Sequence, residues 1–109
     1  MGIWDWNVRT GEMYWSDGVE AFFGLTPGSF PGTHSAYLKL VYLEDRGTVL
    51  QTIQQTLEGP AEFELEHRTV WPDGTVHWLS WSGTVQRDAG GAAQRALGTV
   101  RDITARKRV

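Results

Sequence analysis

Three polar side chains in the second half of the chain could do chemistry: His67, Thr69 and His77. An imidazole can ligate a metal, carry a proton or orient a polar ligand. A metal site needs at least a third ligand, and no candidate is evident beside this histidine pair. The chain has no cysteine. That excludes disulfides, thiolate zinc or iron–sulfur sites, thiol nucleophiles and any cofactor bonded through sulfur. The serines lack a hydrolase elbow, and no glycine loop suits a phosphate. Glu62, Glu64 and Glu66 recur at every second position, which reads as the solvated face of a strand and not as an acid–base pair. What remains is a polar patch, His67 with Thr69, that could anchor a ligand in mostly apolar surroundings.

The elements that would position this patch follow from periodicity. Ile3 to Val8 is a strand with Trp4, Trp6 and Val8 on one side. Met13 to Trp15 is a second strand, joined to the first by a turn over Arg9–Glu12. Ser16 is placed to cap a short helix carrying Val19, Phe22 and Phe23, ended by Gly24. A Pro/Gly-rich loop spans 26–33, and a helix from Ser35 to Val41 turns Tyr37, Leu38 and Val41 inward. A longer helix over Asp45–Leu57 carries the stripe Val49, Ile53 and Leu57, and Gly59-Pro60 stops it. Then come three strands: Glu62–Val70, Val76–Arg87 and Ala96–Thr104.

Pro72-Asp73-Gly74 fixes the register of the first two of these strands. It suits a three-residue hairpin loop with glycine in the left-handed position. Thr69 then faces His77, His67 faces Leu79, Leu65 faces Trp81 and Phe63 faces Gly83. These residues form an apolar face with a polar end, which should pack the helices and turn both histidines inward. On the other face Arg68 lies opposite Trp78 as a cation–π pair. Strands, helices and strands in that order predict an α+β domain with an antiparallel sheet.

The length of 109 residues suits one domain. A net charge of −3 and a pI near 5.5 argue against a nucleic-acid surface. No apolar stretch approaches the ~20 residues of a membrane span, and no signal peptide is evident, so the expected location is cytoplasmic, without direct membrane contact, which leaves room for a parent anchored in the membrane elsewhere. Six tryptophans are the compositional oddity. They supply rigid apolar area for a pocket, or simply fill a small core.

Several motifs in order resemble the PAS family, in its tryptophan-rich branch. They are Gly2-Ile3-Trp4-Asp5-Trp6-Asn7 at the opening strand, Trp15-Ser16 and Phe23-Gly24 around the first helix, and Glu44-Asp45-Arg46 before the long helix. His67-Arg68, Asp73-Gly74 and Trp78 match the central hairpin; Gly98 and Asp102-Ile103-Thr104 match the last strand and a PAC-type exit. The pattern departs from the family at Tyr42-Leu43, where His-Pro is common, and at His67, where Tyr is common. No cap helix precedes the first strand.

The resemblance implies a five-stranded antiparallel sheet with helices on one face, residues 1–104 forming the sensory domain and 105–109 starting a connector to an effector. That effector would be a histidine kinase, diguanylate cyclase or phosphodiesterase, the fragment itself would not be an enzyme, and the parent would be a homodimer. Combined with strand parity, the resemblance nominates a small-ligand pocket of Trp4, Trp6, Val49, Ile53, Phe63, Leu65, His67, Thr69, Leu79, Trp81 and Val100. It makes Asp102, Ile103 and Thr104 the signal exit; Asp102 is either structural, pairing near the exit of the last strand, or part of the signal path, or both, and a buried carboxylate there needs a partner. Thiol-adduct flavin and thioester chromophores are excluded by the missing cysteine. Haem is disfavoured because Asp45–Glu58 contains no His. Non-adduct flavin finds no amide edge at Leu79, Trp81 or Val100. An organic ligand or none remains, and with none the module is a ligand-free dimerisation and relay unit with a filled core. A small enzyme built on His67 and His77 is a third reading.

Overall fold

The computed structural model describes residues 1–59 and 62–107. Pro60 and the last two residues of the expected connector lie outside them. β1 (Gly2–Asn7) and β2 (Met13–Trp15) form the opening hairpin. Asn7 Oδ1 organises the turn between them by accepting from the N–H groups of Arg9 and Thr10 at 3.0 and 3.1 Å. Next come α1 (Val19–Phe22), α2 (His34–Leu40), a 3-10 turn (Leu43–Asp45) and α3 (Arg46–Glu58). β3 (Glu62–Val70), β4 (Val76–Arg87) and β5 (Ala93–Asp102) complete the sheet, and α4 (Thr104–Lys107) leaves it. The strand order is β2-β1-β5-β4-β3, antiparallel throughout, so the first strand pairs with the last.

The β3–β4 register is the one that the Pro-Asp-Gly turn predicts, pair for pair from Thr69–His77 to Phe63–Gly83. Gly74 has φ +87°, and its N–H donates to Trp71 O at 2.9 Å while Trp71 N–H donates to Thr75 O at 2.9 Å. Only glycine takes that left-handed backbone without strain.

Ser16 does not cap α1. Its Oγ accepts from Ile3 N–H at 2.8 Å, across the β1–β2 ladder, and α1 starts later, from a left-handed Gly18. Glu20 on α1 gathers the Pro/Gly loop by accepting from Gly28 N–H and Phe30 N–H at 2.9 and 2.7 Å. β5 begins three residues before the expected Ala96, and it ends at Asp102, so Thr104 belongs to α4 and not to the strand.

Two arginines hold α3 at its ends. At the start, Asp45 accepts two bonds from the Arg68 guanidinium, at 2.7 and 3.0 Å, and one from Arg68 N–H at 2.8 Å. At the end, Arg87 donates to the carbonyls of Thr56, Leu57 and Gly59 at 2.6–3.2 Å. Those carbonyls are the acceptors a helix terminus leaves without intrahelical partners. Between the clamps, Val49 is fully buried and Ile53 and Leu57 are half-buried, whereas Leu50 is exposed.

A row across the sheet sets the depth of the core. Phe63, Gly83, Gly98, Trp4 and Trp15 are successive cross-strand partners on its inner face. The two glycines leave room for the Trp4 ring, which meets Phe63 and Trp81 with centroids 5.7 Å from each. Trp4 Nε1–H donates to Thr99 O at 3.0 Å.

Candidate functional site

Between α3, the start of α2 and the sheet lies a cavity of about 40 Å³. Trp4, Trp6, Ile53, Phe63, Leu65 and Trp81 line it, six of the residues expected at a pocket. Val49, His67, Thr69, Leu79 and Val100 are buried but lie off it. The lining also takes Met13, His34, Tyr37, Thr56, Leu57, Val85 and Ala96. Parity could have found Val85 and Ala96, which share the inner face with Trp81 and Val100. His34 and Tyr37 come from the helix after the loop, and no periodic signal predicts which strand that helix reaches.

The two anchors expected of a polar ligand already have protein partners. Thr69 Oγ1–H donates to Leu40 O at 2.6 Å. His67 Nδ1 lies 3.0 Å from Arg68 O and its Nε2 lies 2.9 Å from the Tyr37 hydroxyl. A carbonyl only accepts, so Nδ1 carries the proton; burial keeps the ring neutral, and Nε2 accepts from Tyr37 O–H. Burial likewise pushes the Tyr37 hydroxyl well above its ordinary value, so it remains a donor. Tyr37 thus joins the cavity wall to the backbone of Arg68.

His77 is not inside. Its ring stacks on Trp71 at 3.7 Å and meets Thr75 Oγ1 at 2.9 Å. Trp71 folds over this end of the hairpin because its Nε1–H reaches Phe22 O at 3.0 Å. With the two rings engaged separately the histidine pair does not converge, and no group of three metal-ligating side chains gathers among the described residues.

The apolar site contains unpaired donors. Trp6, Trp15 and Trp81 each bury an indole N–H that has no hydrogen-bond partner among the described residues. A buried donor left unpaired costs about 1–3 kcal/mol, so such groups are rare in a settled core. Trp6 and Trp81 line the cavity, while Trp15 does not. Trp15 is stacked between Phe30 and Phe23, with centroids at 3.5 and 4.7 Å.

His34 stacks on Trp6 at 3.9 Å, and burial lowers its pKa from 6.5 to about 4. The unfolded chain therefore binds more protons between these values, and stability is lost as pH falls through that window. Buried His67 contributes with the same sign. Urea unfolding of the His34→Gln variant should show a flatter dependence of the midpoint on pH between 6.5 and 4 than the unmodified chain; an unchanged slope would remove His34 from the linkage.

The exit from the sheet is built around Trp78. Arg68 lies over its ring at 5.4 Å and Lys107 at 4.8 Å, and Lys107 also pairs with Glu66 at 2.8 Å. Trp78 N–H donates to Thr104 Oγ1 at 2.9 Å, and Ile103 N–H donates to Trp78 O at 2.9 Å. The Asp102 carboxylate is exposed and not buried; it accepts from Thr104 N–H at 2.9 Å and so starts α4. Glu62, Glu64 and Glu66 all face outward, as the alternation predicts.

A family model described as the PAS fold matches residues 12–100. The chain is 32% identical over 108 residues to a blue-light-activated histidine kinase of Brucella anthropi, across 99% of this chain and 21% of that protein. The Brucella melitensis counterpart is 33% identical over the same share of each. A sensory box histidine kinase/response regulator from Burkholderia thailandensis superposes with TM-score 0.85 at 29% identity, over 98% of this chain and 79% of that one. The N-terminal domain of a diguanylate cyclase with PAS/PAC sensor from Marinobacter aquaeolei gives 0.83 at 24% identity, over 98% and 99%, which speaks for the fold alone. The chain spans about a fifth of the length of the curated relatives it matches. The antiparallel sheet with helices on one face agrees with the family match and the sequence relatives, and the chain belongs to the PAS-fold family.

Proposed function

We propose that this chain is the sensory input domain of a larger signalling protein, with residues 1–104 sensing and 105–109 beginning the connector to an effector. The observation that carries this reading is the continuity between cavity and exit. Tyr37 on the cavity wall bonds His67, His67 bonds the Arg68 backbone, and the Arg68 side chain joins Asp45 at the head of α3 to Trp78. Trp78 in turn holds Thr104 and Lys107 of the outgoing helix. An occupant that shifts Tyr37 or α3 would alter this grip. The effector belongs to the class named in the relatives, a histidine kinase, or to the cyclic-dinucleotide enzymes, and the parent acts as a homodimer. Blue-light sensing through a thiol adduct is not open to this chain, which has no cysteine.

A second reading has its own support. Drug-sized ligand sites typically measure ~300–1,000 Å³, and the tryptophan rings leave about 40 Å³ here. A ligand-free relay module would have such a core. Native mass spectrometry of the freshly purified chain, against the denatured mass, separates the two. The sensing reading expects a reproducible excess mass, and expects its removal to change amide exchange at Ile103 and Lys107, which bond to Trp78 O and Ile103 O. A bare mass favours the relay module; an excess mass whose loss leaves those amides unchanged breaks the proposed link to the exit.

A further inference from the structure

The cavity presents a contradiction: its walls are apolar, yet two of them carry hydrogen-bond donors with nothing to bond. Trp6 and Trp81 both line it, both are more than nine-tenths buried, and both Nε1–H groups lack a partner among the described residues. Three other polar groups on the wall are engaged, while the neutral imidazole of His34, stacked on Trp6, makes no side-chain hydrogen bond among the described residues. Tyr37 O–H is bonded to His67, Thr56 Oγ1–H to Thr52 O at 2.8 Å, and Trp4 Nε1–H to Thr99 O. No Lys, Arg, Asp or Glu lines the space.

An apolar enclosure with unmet donors and no counter-charge selects a particular chemistry. An anion would enter without a cation to offset its desolvation, and a cation would meet indole donors and a single neutral imidazole with no carboxylate to offset its own. A hydrocarbon would fill the volume but leave the indoles unpaired. Resting on the sensing reading above, we propose that the cavity takes a compact uncharged ligand, largely apolar, whose carbonyl, ether or hydroxyl oxygen accepts a hydrogen bond from the indole N–H of Trp6 or Trp81. The volume of about 40 Å³ is room for roughly three waters, so the part that enters is a few heavy atoms across, such as a short ketone, lactone or ester head.

The six tryptophans make the test direct, since each indole N–H gives its own nitrogen–proton correlation signal. The 109-residue chain is titrated separately with cyclopentanone, with cyclopentane and with cyclopentanecarboxylate. The expected result is a saturable downfield shift of the Trp6 or Trp81 indole proton with cyclopentanone. Trp4 and Trp15 act as internal controls and should not show it, the first already paired and the second off the cavity. Cyclopentanone should bind about tenfold more tightly than cyclopentane, the scale of one hydrogen bond, and the carboxylate should not bind. Trp6→Phe and Trp81→Phe keep a ring and remove the donor, and the preference should collapse in whichever variant loses the receiving indole. Equal binding of the ketone and the hydrocarbon overturns the ligand class while leaving a pocket for the sensing reading. No saturable shift with any of the three probes overturns the class as well, and joined to a bare native mass it removes the pocket altogether.

Discussion

Replacing Gly98 with alanine is expected to lower the melting temperature by roughly 15 °C, the largest effect of any single methyl group added to this fold. A Cβ built on Gly98 would lie 1.9 Å from Ser82 O and 2.5 Å from Gly83 Cα. Both obstacles are backbone of β4, so no side chain can rotate away. Gly83 is its direct cross-strand partner and is blocked in the same way, by Leu97 O at 2.4 Å and the Trp4 ring at 2.7 Å. Relief would require β4 and β5 to separate at the middle of the sheet, which would also displace the Trp4 ring lying over them. Overpacking usually costs about 1–3 kcal/mol, and a clash against fixed backbone in a central strand pair belongs at or above the top of that range. Thermal unfolding followed by circular dichroism measures it. A fall of only two or three degrees would mean that the strand pair yields and that the close approach is not a constraint.

Trp81→Ala should be the most damaging truncation, at about 4 kcal/mol, read as a lower urea midpoint at unchanged slope. The ring is almost fully buried on β4 and meets Trp4, Trp15, Phe23, Tyr37 and His67 with centroids 5.0–6.4 Å away. Its removal leaves all five facing a void that the clamped α3 cannot close. Trp81→Phe should cost far less, under about 1.5 kcal/mol, because the phenyl ring keeps most of this packing and the substitution also deletes an unpaired buried donor. A Trp81→Phe cost well above about 1.5 kcal/mol would show that the indole N–H is satisfied in solution.

What could be read from the sequence divides by distance along the chain. The β3–β4 register follows from three adjacent turn residues, and alternation then assigns every side chain to a face. The end of α1 is equally local, since Gly24 takes φ +70° just past the helix. Its start is not local: Ser16 had a closer claim on Ile3 N–H, a partner thirteen residues away. The pocket divides in the same way. Trp4, Trp6, Phe63, Leu65 and Trp81 follow from strand parity. Parity turns His67 and Thr69 inward, where both are buried, but it does not show that Tyr37 and Leu40 O reach them first. His34 lies on the cavity because α2 delivers it onto Trp6, a packing result that neither helical nor strand period encodes. The burial expected of Asp102 failed because the sheet ends there, and its carboxylate is spent on a single N–H in water.

The two arginines that hold α3 make it a beam fixed at both supports. A load at mid-span, where Ile53 faces the cavity, cannot be relieved by sliding and is borne at the ends. The supports differ in kind. Arg87 grips carbonyls, which do not titrate, while Arg68 grips a carboxylate whose pKa it holds below the ordinary value. Acid that protonates Asp45 therefore loosens only the end of the beam that leads through Arg68 and Trp78 to the outgoing helix, where Arg46 keeps its bonds to the carbonyls of Lys39 and Val41, and the far end stays fixed as the pivot.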